Sequence, residues 1–145
     1  MKTLEGKKIA VVGLAASGRA AARLALERGG EVHVSDLRTD TATHARGAEL
    51  RARGVGVELG EHPIDRIASA GTVVVSPGIR PDAPVLKELG DRGVRWISEP
   101  EFAFRFFDGP LIAVTGTNGK TTTAAALALV AAERDRRCLL VSTDP

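Results

Sequence analysis

Short apolar runs recur along the chain at residues 9–12, 32–34, 55–59, 73–75, 94–97, 111–114 and 139–141, separated by stretches whose apolar positions repeat at helical spacing. Runs this short, bounded by turn signals and alternating with helical patterns, predict βαβ units and a parallel sheet. Between the first two runs Ala21, Leu24, Ala25 and the aliphatic stem of Arg28 share one helical face, and Gly29-Gly30 stops the helix. Residues 39–53 are polar and alanine-rich and predict a second helix, with Thr41 and Thr43 as poor helix formers near its start. Pro81 and Pro84 bracket a loop that follows Ser76-Pro77-Gly78, and residues 85–89 predict a short helix ended by Gly90 or Gly93. Aromatics gather from Phe102 onward until Asp108-Gly109-Pro110 breaks the pattern ahead of the next strand. The expected organisation is a first domain over 1–95, a linker over 96–110 and the start of a second domain over 111–145.

Composition narrows this picture. A chain of 145 residues builds one ordinary core, so a second domain is small or incomplete. With 43% hydrophobic and 26% charged residues the balance is that of a globular protein, not a disordered one. The net charge is +2, but Lys and Arg are interspersed with Asp and Glu and form no basic block, which argues against nucleic acid as a partner. The single cysteine, Cys138, excludes an intramolecular disulfide and suits a reducing cytoplasm; its neighbours Leu139, Leu140 and Val141 read as a buried strand. The first residues lack the apolar segment of a signal peptide, and no apolar run reaches membrane-spanning length, so neither export nor a membrane is expected.

The strongest chemical signal is Thr115-Gly116-Thr117-Asn118-Gly119-Lys120-Thr121-Thr122, placed between the run at 111–114 and an alanine-rich helix. Strand, glycine loop, lysine and hydroxyl at a helix start make a phosphate cradle. Backbone N–H groups point at anionic oxygens, Lys120 neutralises the β- and γ-phosphates, and a hydroxyl, for which Thr121 is the natural choice, joins Mg²⁺. The spacing departs from the general P-loop, since Val114 stands where its first glycine would be and Gly116 supplies the turn.

A second signal is the first βα turn, Gly13-Leu14-Ala15-Ala16-Ser17-Gly18, with Asp36 at the end of the second strand. It has the form of a dinucleotide fingerprint with Ala15 in place of the middle glycine, so a Cβ crowds the approach of a dinucleotide pyrophosphate and NAD is disfavoured. A purely structural tight turn is an open alternative. So are a strand-end cap for Asp36 and, for Arg38, an ion pair with Asp36 or Asp40.

The compact T-G-T-N-G-K-T-T loop resembles the ATP loop of the Mur ligase family and its folylpolyglutamate synthetase relatives. The resemblance is tightest with the D-glutamate-adding branch, whose first turn G-L-[GA]-x-[ST]-G is matched by Gly13 to Gly18, whose Asp-x-Arg strand end is matched by Asp36-Leu37-Arg38, and whose S-P-G-I is matched by Ser76 to Ile79. It covers residues 5 to about 123. It implies an α/β fold, a Rossmann-like parallel sheet domain followed by the first βαβ unit of a P-loop ATP-binding domain. It further implies an ATP-dependent ligase of peptidoglycan precursor synthesis that adds D-glutamate to UDP-N-acetylmuramoyl-L-alanine through an acyl-phosphate, with ATP and Mg²⁺ required. On this resemblance Gly116, Thr117, Asn118, Gly119, Lys120, Thr121 and Thr122 hold ATP, with Lys120 catalytic and Thr121 on the metal. Ala16 and Ser17 offer turn groups to the UDP diphosphate, Asp36 and Arg38 meet the uracil-ribose end, and Gly78 allows close backbone approach. A full ligase also needs the rest of its central domain and a carboxy-terminal domain, so this chain is expected to be an amino-terminal part without ligase activity of its own.

The tail departs from that family. Where a G-G-N-I-G segment is expected, residues 139–145 read Leu-Leu-Val-Ser-Thr-Asp-Pro and resemble arsenite-pump-type ATPases, in which Asp144 would sit at a strand end near the nucleotide. Three classes of function therefore compete: a Mur ligase part, favoured by the ordered motifs from Gly13 to Thr122; a P-loop NTPase, favoured by Ser142 to Pro145; and a non-catalytic nucleotide-binding module. His33, His44 and His62 lack metal-ligand spacing and read as structural or solvent-facing, and Trp96 with Phe102, Phe104, Phe106 and Phe107 reads as packing near the domain junction.

Overall fold

A computed structural model describes residues 3–109 and 120–133. The chain divides into two units, Met1–Phe107 and Asp108–Pro145. In the first, strands β1 (Lys8–Val12), β2 (Glu31–Asp36), β3 (Gly56–Leu59), β4 (Thr72–Val75) and β5 (Trp96–Ser98) alternate with helices α1 (Ala16–Glu27), α2 (Thr41–Ala52), α3 (Ile64–Ala68), α4 (Pro84–Asp91) and α5 (Glu99–Phe104). The strands form one sheet in the order β3-β2-β1-β4-β5, parallel at every pairing, with Ile9 in register with Val32 on one side and Thr72 on the other. The strands expected from the runs at 9–12, 32–34, 55–59, 73–75 and 94–97 are all present; the runs at 111–114 and 139–141, like Cys138, lie outside the described residues.

A parallel sheet is covered on both faces, and side chains alternate between them along each strand. Ile9, Val11, Val32, Val34 and Val74 pack with Ala21, Ala22 and Ala25 of α1, Leu50 of α2 and Phe102 of α5. Ala10, Val12, Val73 and Val75 pack on the opposite side with Ile67 of α3 and Val85, Leu86 and Leu89 of α4. The small residues of α1 let it lie close against β1, which matters because its N-terminus builds the site. Helix α1 ends where the sequence places its stop, with Gly29 in the left-handed region at φ +83°.

Two local features correct the propensity argument. Thr43 is fully buried and serves the start of α2: its N–H donates to Oδ1 of Asp40 at 2.9 Å and its hydroxyl to Oδ2 at 2.7 Å, so a poor helix former is used as part of the cap. The stretch 96–110, read as a linker, holds β5 and α5. Ser98 caps α5 by accepting the N–H of Glu101, and Phe102 is buried in the core in edge-to-face contact with Phe106 at 5.2 Å between centroids. In the second unit, α6 (Lys120–Glu133) is described.

Candidate functional site

Strand order reverses at β1, with β2 on one side and β4 on the other, so the loops leaving β1 and β4 turn away in opposite directions. In an open α/β sheet the crevice outside the strand ends at such a point is where ligands bind. The turn from β1 into the start of α1 carries Gly13 to Gly18 and the loop after β4 carries Ser76 to Ile79, so the topology brings together two motifs that lie far apart in sequence.

The two loops are tied to each other. Ser76 is buried; its N–H donates to Val12 O at 3.0 Å and its hydroxyl to Gly13 O at 3.3 Å. Gly13 has φ +100°, a conformation that favours glycine, and a Cβ there would lie 2.9 Å from Cβ of Ser76. At Gly18 a Cβ would lie 2.0 Å from Gly13 O and 2.5 Å from Oγ of Ser76. This glycine is needed for the helix to start as close to the strand as it does.

Helix α1 begins at Ala16 with no side chain capping its first N–H groups and no acidic residue in its first turn. Its N-terminus therefore keeps the positive end of the helix dipole and N–H donors free of any capping side chain, as an anion site requires. Ala16 is exposed and Ser17 half-buried at this turn. Gly78 is exposed too, and a Cβ built on it meets nothing within 4 Å, so no internal packing demands a glycine there. What glycine leaves is room for close approach from outside.

Asp36, at the end of β2, is 5% exposed. Its Oδ2 accepts the N–H of Leu14 at 2.6 Å and Nη2 of Arg38 at 2.7 Å, and its Oδ1 accepts the backbone N–H and Nε of Arg38 at 2.9 and 3.0 Å. Burial pushes this carboxyl up, but the Arg38 side chain and the N–H groups of Arg38 and Leu14 outweigh it and hold the pKa at about 2. A carboxylate has about four acceptor positions, and these bonds fill them. Asp36 therefore clamps the first turn through Leu14 and orients Arg38, whose side chain is 50% exposed and keeps N–H groups for a ligand. Of the candidate partners of Arg38, the structure pairs it with Asp36, while Asp40 caps α2.

Beside this clamp lies a hollow of about 410 Å³, lined by Leu37, His62, Ile64, Gly78, Ile79 and Val85 among others. Nδ1 of His62 is 2.8 Å from the hydroxyl of Ser35, which is fully buried. Sequence reasoning misses this pair: the histidines show no metal-ligand spacing to single them out, and the Ser35 contact crosses from β2 to the loop after β3. His33 pairs through Nε2 with Glu58 at 2.9 Å, and His44 is exposed. Among the described residues no cluster of His, Cys, Asp and Glu could hold a metal, and no helix is long and apolar enough to cross a membrane.

Of the expected ATP-binding residues, Gly116, Thr117, Asn118 and Gly119 lie outside the described residues. Lys120, Thr121 and Thr122 form the first turn of α6, where Thr122 is exposed. The tail from 134 to 145 also lies outside them.

Residues 7–98 match the family model described as Mur ligase MurD-like, N-terminal domain. A UDP-N-acetylmuramoylalanine--D-glutamate ligase of Desulfatibacillum aliphaticivorans is 46% identical over 119 residues, 82% of this chain and 26% of the relative. The enzyme of the same description from Thermobifida fusca is 44% identical over 140 residues, 95% of this chain and 30% of the relative, so that match passes through the loop at 115–122 and into the tail. A solved murein peptide ligase of Psychrobacter arcticus is similar at TM-score 0.61 and 26% identity, covering 96% of this chain and 31% of that one. The chain thus spans about a third or less of the length of these relatives.

Proposed function

Because the chain belongs to the MurD-like Mur ligases, matching their amino-terminal domain, we propose that it is the UDP-substrate-binding part, with the start of the ATP-binding part, of a ligase that adds D-glutamate to UDP-N-acetylmuramoyl-L-alanine in peptidoglycan precursor synthesis. The observation that carries this reading is the crevice at the β1/β4 switch point. An uncapped helix N-terminus with no acidic residue in its first turn, the Asp36–Arg38 pair and the open backbone at Gly78 gather there.

The anionic diphosphate sits at the α1 N-terminus, where Ala16 and Ser17 supply N–H groups and a hydroxyl. Asp36 holds Arg38 in place at the nucleoside end, and Gly78 lets the backbone come close. Ala15, the residue before α1, places a Cβ at the point where a dinucleotide would need glycine. Titration calorimetry on the chain should therefore show tighter binding of UDP than of NAD. Equal or tighter NAD binding would favour the dinucleotide module instead.

The loop Gly116, Thr117, Asn118, Gly119, Lys120, Thr121 and Thr122 would hold ATP, with the Thr121 hydroxyl toward Mg²⁺. ATP supplies the phosphoryl group that activates the substrate carboxylate as an acyl-phosphate, open to attack by the D-glutamate amine. Lys120, the residue that opens α6, would neutralise charge on the transferred group; this is positioning and electrostatic work. Lys120→Ala should weaken Mg-ATP binding by about ten- to a hundredfold through loss of a charge-assisted contact. Thr122→Ala should cost less, since the second hydroxyl after the lysine is the poorer candidate for the metal. Wild-type affinity retained in Lys120→Ala would remove the phosphate-cradle reading.

A further inference from the structure

Ser35 is fully buried, and its hydroxyl has one partner among the described residues, Nδ1 of His62 at 2.8 Å. A buried hydroxyl proton needs an acceptor, and Nδ1 is the one within reach. The hydroxyl therefore donates, and the imidazole is set as the tautomer carrying its proton on Nε2. Burial also lowers the pKa of His62 from its ordinary value, against the opposing pull of Asp36, so the ring is neutral near neutral pH. With Nδ1 committed to Ser35, the polar atom left for the hollow is the Nε2–H donor, which has no protein partner among the described residues.

The hollow suits a flat heterocycle. Leu37, Ile64, Ile79 and Val85 make its lining largely aliphatic, Gly78 adds no side chain, and its volume of about 410 Å³ is in the range of small-molecule pockets. Its lining includes Leu37 and Gly78, which flank the nucleoside end of the crevice, but not the first turn of α1. A nucleotide with its diphosphate at α1 would enter the hollow with the far edge of its base.

We propose that His62, positioned by Ser35, is a specificity-determining residue that reads this base, its Nε2–H donating to the ring carbonyl oxygen that distinguishes uracil from cytosine. In cytosine an amino group stands at that position, so donor would meet donor and the buried edge would go unpaired. A site built around such a bond discriminates strongly for that reason. The inference rests on the reading above that a UDP-linked substrate occupies the crevice, and it adds the group that selects its base.

The test is competitive titration of the full 145-residue chain with UDP and CDP in wild type, His62→Ala, His62→Gln and Ser35→Ala. Wild type should prefer UDP. His62→Ala should weaken UDP binding by about five- to tenfold and leave CDP unchanged, collapsing the ratio. His62→Gln, whose amide N–H reaches a similar point, should restore part of the preference, and Ser35→Ala should lower it by freeing the tautomer, a change that lost packing alone would not produce. Nitrogen NMR of the wild-type imidazole should show the Nε2–H tautomer and a shift of that signal on adding UDP. A UDP preference that survives in His62→Ala, equal affinity for UDP and CDP in wild type, or an Nε2 signal unmoved by UDP would each overturn the role of His62 while leaving the proposed function standing. A wild-type chain that binds neither nucleotide would overturn both.

Discussion

Gly18→Ala should destabilise the first unit by roughly 3–4 kcal/mol, toward the severe end of single substitutions. The added methyl would lie 2.0 Å from the carbonyl oxygen of Gly13 and 2.5 Å from Oγ of Ser76. The Ser76 hydroxyl could rotate away, but the carbonyl belongs to backbone fixed by the bond from Gly13 N–H to Ser35 O at 2.8 Å, so α1 itself must shift from β1. That shift would also disturb the Ser76 tie between the two loops, and UDP binding should fall with stability. Gly78→Ala is the control, since its Cβ meets nothing within 4 Å: stability should change little while nucleotide affinity drops. Urea denaturation of both variants reads this directly from the midpoints. A Gly18→Ala midpoint close to wild type would mean that the turn is not packed as described.

Asp36→Ala should cost about 3 kcal/mol, because it strands the buried N–H of Leu14 and removes every side-chain acceptor that Arg38 has among the described residues at once. The same carboxylate makes stability depend on acid. Its pKa is depressed from an ordinary 3.8 to about 2 in the folded chain, so the folded state favours the ionised form. The contribution is complete above the unfolded value and is lost as pH falls through the folded one, between about pH 4 and pH 2. Its size is roughly 2 kcal/mol. Asp36→Asn keeps the size and one acceptor but cannot titrate. Over that window wild type should lose about 2 kcal/mol more stability than Asp36→Asn, measured by urea denaturation at successive pH values. Parallel acid profiles for the two would show that the clamp is not formed in solution.

Most of the sheet is legible in the amino-acid sequence, for a simple reason. Strands β1 and β4 are covered on both faces, so nearly every position is apolar and the run stands out from amphipathic neighbours, whereas β2 shows only Val32 and Val34 among polar residues, most of which the fold buries. The helices are less evenly legible. Helix α1 has an apolar face and a glycine stop, whereas α3 is five residues long and too short to show a period. Helix α5 is hidden by its aromatics: Phe102 packs in the core while Phe104 and Phe107 are each 52% exposed, so composition suggests a junction and only packing sorts one from the others.

The sequence by itself determined the glycine turn after the first strand, the aspartate at the end of the second and the family that these motifs resemble, because these are local: glycines at fixed offsets, and a charge placed where a strand stops. Only the tertiary structure decided what those residues do to one another. That Ser76 closes on Gly13, that Asp36 is filled by Leu14 and Arg38, and that Ser35 meets Nδ1 of His62 all depend on which strands are neighbours. The order β3-β2-β1-β4-β5 puts residues far apart in sequence within hydrogen-bonding distance, and sheet order is chosen by burial summed over both faces, to which no single motif is a guide.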